Sequence, residues 1–91
     1  MRVKVLIASP LHSYTKASEV EAQVEDERAT VAEVLADLDR RYPGIRFRMV
    51  DEQGRMRRHM RLFVDGEQVF DLSRPLAPGE SIQTVQALSG G

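Results

Sequence analysis

The segment Thr30-Val31-Ala32-Glu33 limits most sharply what this chain can fold into. A threonine followed three residues later by glutamate is a reciprocal helix cap: the hydroxyl satisfies a backbone N–H near Glu33, and Glu33 reaches back to the threonine N–H. Asp26 and Glu27, just upstream, suit the positive end of the helix dipole. Val31, Val34, Leu35, Leu38 and Tyr42 then recur at i, i+3, i+4, i+7 and i+11, a single apolar stripe of 3.6-residue period. Arg40 and Arg41 fall in the last turn, and Pro43-Gly44 stops the helix. A helix with one apolar stripe must bury it against another layer, and residues 51–88 offer no second helix of this kind.

That layer is supplied by segments of period 2. From Arg2 to Ala8, Val3, Val5 and Ile7 alternate with Arg2, Lys4, Leu6 and Ala8, which predicts a strand ended by Ser9-Pro10. Residues 11–18 read as a loop, and Glu19 to Val24 as a second strand, antiparallel to the first, with Val20, Ala22 and Val24 on one face. Residues 45–59 fit either a short strand or an irregular return, because Ile45, Phe47 and Met49 alternate with Arg46, Arg48 and Val50. Met60 to Val64 alternates and meets Asp65-Gly66, a type I′ hairpin signal, with a short returning strand around Gln68 to Phe70. Pro75, Pro78 and Gly79 punctuate a loop before a last extended segment, Ser81 to Leu88.

Two strands, one helix and a late strand able to lie beside the first describe an α+β β-grasp: a mixed sheet of four to five strands with one main helix packed on one face. A split βαβ of the ferredoxin-like kind needs a second helix. Met60, Leu62 and Val64 are expected beneath the helix. Leu6, Ala8, Arg61, Phe63, Val85 and Ala87 then share the open face, an apolar cluster rimmed by arginine that is either suited to protein docking or covered by the 45–59 segment.

Ninety-one residues, read as one domain over 1–91, leave little room for a self-contained enzyme. Thirteen basic against fourteen acidic side chains remove bulk attraction to nucleic acid or anionic membrane. Cysteine is absent, so disulfides, thiolate zinc sites and catalytic thiols are excluded. His12 and His59 have no metal-ligand spacing, and Ser9, Ser13 and Ser73 lack a nucleophile-elbow motif. Neither a signal peptide nor a membrane span is present, which makes the cytoplasm the expected location. The run Arg55, Arg57, Arg58, His59 and Arg61 reads as a solvated edge, as a docking patch for an acidic protein partner, or as an RNA contact, the last with Phe63 alone nearby as a stacking aromatic.

The sequence closes on Ala87-Leu88-Ser89-Gly90-Gly91. Residues 87–91 read as a flexible tail, and two glycines can thread a channel where any Cβ would collide. A carboxylate is inert until activated, so reaction there needs a partner enzyme and ATP.

With these residues in view, the chain resembles the MoaD/ThiS family of ubiquitin-like sulfur carriers. The resemblance rests on Val3-Lys4-Val5, on Pro10-Leu11 with Tyr14-Thr15, and on Thr30 to Leu35. It continues through Tyr42-Pro43-Gly44-Ile45, Phe63 to Glu67, Pro75-Leu76 with Pro78-Gly79-Glu80, and the terminal Ala87 to Gly91. The first loop and the Gly54-to-Val64 segment look closest to carriers serving cysteine or siderophore biosynthesis. Polar Thr84 and Gln86 stand where many relatives carry an apolar residue and proline, a departure expected to alter docking of the last strand. Asp65 stands where many have asparagine.

The resemblance implies that the chain is a co-substrate. An activating enzyme related to ubiquitin-activating enzymes would adenylate Gly91, and sulfide or an enzyme persulfide would displace AMP. A biosynthetic enzyme would then accept sulfur from the thiocarboxylate. It further implies no bound cofactor or metal, ATP consumed by the partner, and a monomer when alone. Leu88 and Ser89 would contact the partner's channel together with Leu6, Arg61, Phe63 and Val85, while Gly90 and Gly91 cross its narrowest part. Two other readings share these residues: a ubiquitin-like modifier joined to lysines, and a binding module whose diglycine is incidental.

Overall fold

The computed structural model describes residues 1–25 and 28–87. Strand β1 (Arg2–Leu6) leads through a 3-10 turn (Ser9–Leu11) and a short helix α1 (His12–Thr15) to β2 (Glu19–Gln23). Helix α2 (Val31–Arg41) and the five-residue α3 (Ile45–Met49) follow, then β3 (Met60–Val64), β4 (Glu67–Gln68) and β5 (Ile82–Gln86). The strands form one mixed sheet in the order β2-β1-β5-β3-β4. Among the described residues only β1 and β5 run parallel, through Val5↔Ile82 and Leu6↔Gln83, so β5 lies beside β1 at the centre. This is the expected β-grasp, with five strands.

The cap forms as its spacing requires. Thr30 Oγ1 accepts from the Glu33 N–H at 3.2 Å, and Glu33 Oε1 accepts from the Thr30 N–H at 3.3 Å. Two further N–H groups of the first turn, on Val31 and Ala32, donate to the carbonyls of Arg74 and Leu72, so the loop before β5 completes the cap. Asp26 and Glu27, expected to favour this helix end, lie outside the described residues. Val31, Val34, Leu35 and Leu38 are fully buried over Val3, Val5, Met60, Leu62, Val64 and Ile82, so both predicted core faces meet.

Three local expectations need correction. Residues 11–18 are not all loop: Pro10 sits in the first turn of the 3-10 segment, where its missing N–H does no harm, and α1 follows it. Residues 45–49 are helical rather than extended. Their buried side chains are Ile45 and Met49, four apart, while the alternating partner Phe47 is exposed. The strand returning after the hairpin occupies Glu67–Gln68, earlier than expected, because Asp65 and Gly66 (φ 47° and 86°) form a tight two-residue turn. Asp37 is buried, accepts from the Gln23 N–H at 2.8 Å, and pairs with Arg40 and Arg41.

Candidate functional site

Strand β5 organises the candidate site because it lies between β1 and β3 and leads directly to residues 88–91. Its register with β3 sets Met60 against Gln86, Arg61 against Val85 and Phe63 against Gln83. The Ala87 N–H donates to the His59 carbonyl at 2.8 Å, so the pairing extends one residue past the strand. Leu88, Ser89, Gly90 and Gly91, expected to contact the partner and carry the reaction, lie outside the described residues.

The sheet face away from α2 carries the expected patch. Leu6, Gln83, Phe63 and Gln68 form one row across four strands, and Val85 and Arg61 form the neighbouring row. Leu6 is 36% exposed, and Phe63, Arg61 and Val85 are half-buried. The structure therefore brings these four residues onto one accessible face. Arg61 Nη1 donates to the Arg58 and Met60 carbonyls at 2.7 and 3.0 Å, which draws its head toward the strand edge.

Ala8 does not join the patch. Alternation ends after Leu6, the chain bends into the 3-10 turn, and Ala8 is buried with its N–H donating to Thr84 Oγ1 at 3.0 Å. The Thr84 hydroxyl itself donates to the Leu6 carbonyl at 3.0 Å. The parallel ladder between β1 and β5 has its last pair at Leu6↔Gln83, and this buried hydroxyl prolongs the junction beyond it. The polar residue at 84 thus fastens the last strand. Its signal in the sequence is a hydroxyl two residues after Ile82, on the face of β5 turned toward the core.

Asp65 also has a local explanation. Its Oδ1 accepts from the Ser81 N–H at 2.9 Å and from the Ser81 hydroxyl at 3.2 Å, joining the hairpin turn to the start of β5. His12 is occupied structurally, with Nε2 donating to the Ile7 carbonyl at 2.8 Å. Among the described residues no group of three or more His, Cys, Asp or Glu side chains could hold a metal ion. No helix among them is long and apolar enough to cross a membrane. The arrangement is a central strand flanked on both sides, with a partly apolar, accessible face beside it.

The ThiS family model matches residues 5–91. A chain in the crystal structure of the Amycolatopsis orientalis BexX/CysO complex is 30% identical, with a TM-score of 0.84 over 98% of this chain and 99% of that one. Mycobacterium tuberculosis CysO, described as an antigen, is 27% identical with a TM-score of 0.81, covering 94% and 99%. SAMP1 from Haloferax volcanii reaches a TM-score of 0.83 over the whole of both chains at 23% identity, a likeness of fold alone. No curated protein matches the chain.

Proposed function

Since the chain belongs to the ThiS family of ubiquitin-like sulfur carriers, we propose that it carries sulfur on Gly91 as a thiocarboxylate for cytoplasmic biosynthesis. The observation that carries this reading is the family match running through the diglycine to residue 91. The geometry around β5 gives it a means. A partner can grip Leu6, Phe63, Val85 and Arg61 while the residues after Ala87 enter its active site.

In the proposed sequence the Gly91 carboxylate oxygen attacks the α-phosphorus of ATP inside an activating enzyme. The bond to the bridging oxygen breaks, and pyrophosphate leaves. Sulfide then attacks the acyl carbon, AMP departs with its electron pair, and one proton is released. If a persulfide enzyme is the donor, the acyl disulfide formed is reduced by a thiol to the same thiocarboxylate. The product sulfur is a nucleophile for an acceptor held by a biosynthetic enzyme. This chain contributes no proton transfer; it contributes position, and a misplacement of about 1 Å can slow such a step on the order of 100-fold.

The experiment pairs the chain with a candidate activating enzyme, ATP and a sulfur source. Deleting Gly91, or Gly90→Val, should abolish ATP–pyrophosphate exchange and the mass gain of sulfur replacing oxygen, with the domain still folded. Exchange at the wild-type rate by the Gly91 deletion, with sulfur transfer intact, would overturn the reading. An isopeptide-linked ladder in extract, in place of a thiocarboxylate, would assign the chain to the modifiers.

A further inference from the structure

The arginine run of residues 55–61 borders a groove of about 390 Å³ at the outer edge of β3. Val69 and Met56 contribute apolar surface to it, Phe70 stands at its side 76% exposed, and Arg57, Arg58 and Arg61 line it. The groove exists because β4 is two residues long: it covers Phe63 and Val64 of β3, and the Val69 N–H donates to Leu62, beyond which the chain turns away.

We propose that this groove seats an acidic, partly apolar segment of a partner protein. The charges are not spent on carboxylates of the described residues. Among the described residues, ion pairs within 4.0 Å join Arg40 and Arg41 to Asp37 and Arg74 to Glu80, and none involves Arg57, Arg58 or Arg61. Asp51 feels the field of Arg55 and Arg57, but its Oδ1 is engaged by the N–H groups of Gln53 and Arg55.

Two of the guanidiniums are also held in place. Arg57 lies 4.4 Å from the centroid of the Phe47 ring and its Nε donates to the Phe47 carbonyl; Arg61 rests on the Arg58 and Met60 carbonyls. Holding them beforehand lowers the entropy lost when a carboxylate arrives. An exposed phenylalanine beside arginines matches the residue types that dominate binding energy at protein interfaces.

The neighbouring charges favour protein over nucleic acid. Glu67 and Asp71 adjoin the lining residues Gln68 and Phe70 in the chain, carboxylates that a phosphate backbone running past the groove would meet and a short segment seated in it need not. Arg61 also belongs to the open-face row with Val85, so a partner gripping that face can extend a segment into the groove. The proposal goes beyond the sulfur-carrier reading and stands on the groove without it.

The test uses the full chain, isotope-labelled, and a short glutamate-rich peptide containing one leucine. Amide shifts should concentrate at Met56, Arg57, Arg58, Val69 and Phe70 and fade at high salt. Arg58→Glu and Phe70→Ser, both at exposed positions, should each weaken binding about tenfold or more, while Arg58→Lys keeps most of it. The Gly91 deletion should bind normally, which separates this proposal from the assignment of the tail. Absence of binding, equal binding of a lysine-rich counterpart, or indifference to Arg58→Glu would overturn it. Tighter binding of oligo(dT) at the same residues would overturn it in favour of nucleic acid.

Discussion

The two faces of the sheet are built from the same strands and serve opposite ends. Beneath α2, Val3, Val5, Met60, Leu62, Val64 and Ile82 are buried almost completely, and Thr84, a buried polar side chain among them, has both its hydrogen-bonding roles filled. On the other face Leu6, Phe63 and Val85 remain partly open to water beside Arg61. Each residue of one face has a neighbour in sequence on the other, so single substitutions can address either face alone. The open face therefore buries less apolar surface than the closed one, and substitutions there are expected to leave the domain folded.

The largest effect belongs to the closed face. Leu35 is fully buried, and Leu35→Ala should destabilise the domain by about 2–5 kcal/mol, through lost burial and the cavity left behind. Urea unfolding followed by circular dichroism reads this directly. A loss below about 1 kcal/mol would mean that α2 does not close the core as described.

Thr84→Val comes next and probes the junction of β1 and β5. The substitution keeps the volume but strands the Ala8 N–H and the Leu6 carbonyl, with an expected cost of about 1–3 kcal/mol. Amide exchange at Ala8 should accelerate more than at Leu62, whose strand is untouched. Unchanged protection at Ala8 would show that the hydroxyl does not fasten the strand.

Phe63→Asp sharpens the contrast from the open side. The side chain is half-buried and faces away from α2, so the expected stability loss is about 1 kcal/mol or less. Under the proposed function, binding to the activating enzyme should nevertheless fall at least about tenfold. A collapse of cooperative unfolding would instead assign Phe63 to the core and remove the distinction between the faces.

How much of this was legible depends on how local the determining forces are. Helix α2 could be read because cap, stripe and stop are all written within Thr30 to Gly44, and Asp65-Gly66 fixes its turn from two residues. The two core faces followed from period-2 alternation. Helix α3 could not be read, because apolar and arginine residues alternate from Ile45 to Met49 while only Ile45 and Met49 are buried. Its start is held by Asp39 Oδ1, which accepts from the Gly44 and Arg46 N–H groups at 3.1 Å each, five and seven residues downstream. Ala8 was misplaced for a similar reason, since the hydroxyl that draws it inward lies 76 residues away. Of the candidate site, Leu6, Arg61, Phe63 and Val85 fell where alternation put them, whereas the use of Thr84 as a fastener needed the fold.

The smallest expected effect lies where the closed face is capped, and it depends on pH. Glu80 faces Arg74 through two contacts of 3.2 and 3.3 Å and also accepts from the Ala77 N–H at 2.7 Å. The Arg74 side chain first, then the Ala77 N–H, hold the Glu80 carboxyl below the ordinary glutamate range. Such a group stabilises the fold fully above its unfolded pKa of about 4.3, and the contribution disappears as pH falls through the lowered folded value. The loop it braces matters to the helix, because the Leu72 and Arg74 carbonyls accept from the first N–H groups of α2. Glu80→Gln should therefore lower the melting temperature slightly near neutral pH, and the gap to wild type should close in acid. The amide exchange of Val31 and Ala32 should rise in parallel at neutral pH, while that of Val85 on the open face stays unchanged. A gap that persisted undiminished below the folded pKa would show that Glu80 acts through packing rather than charge.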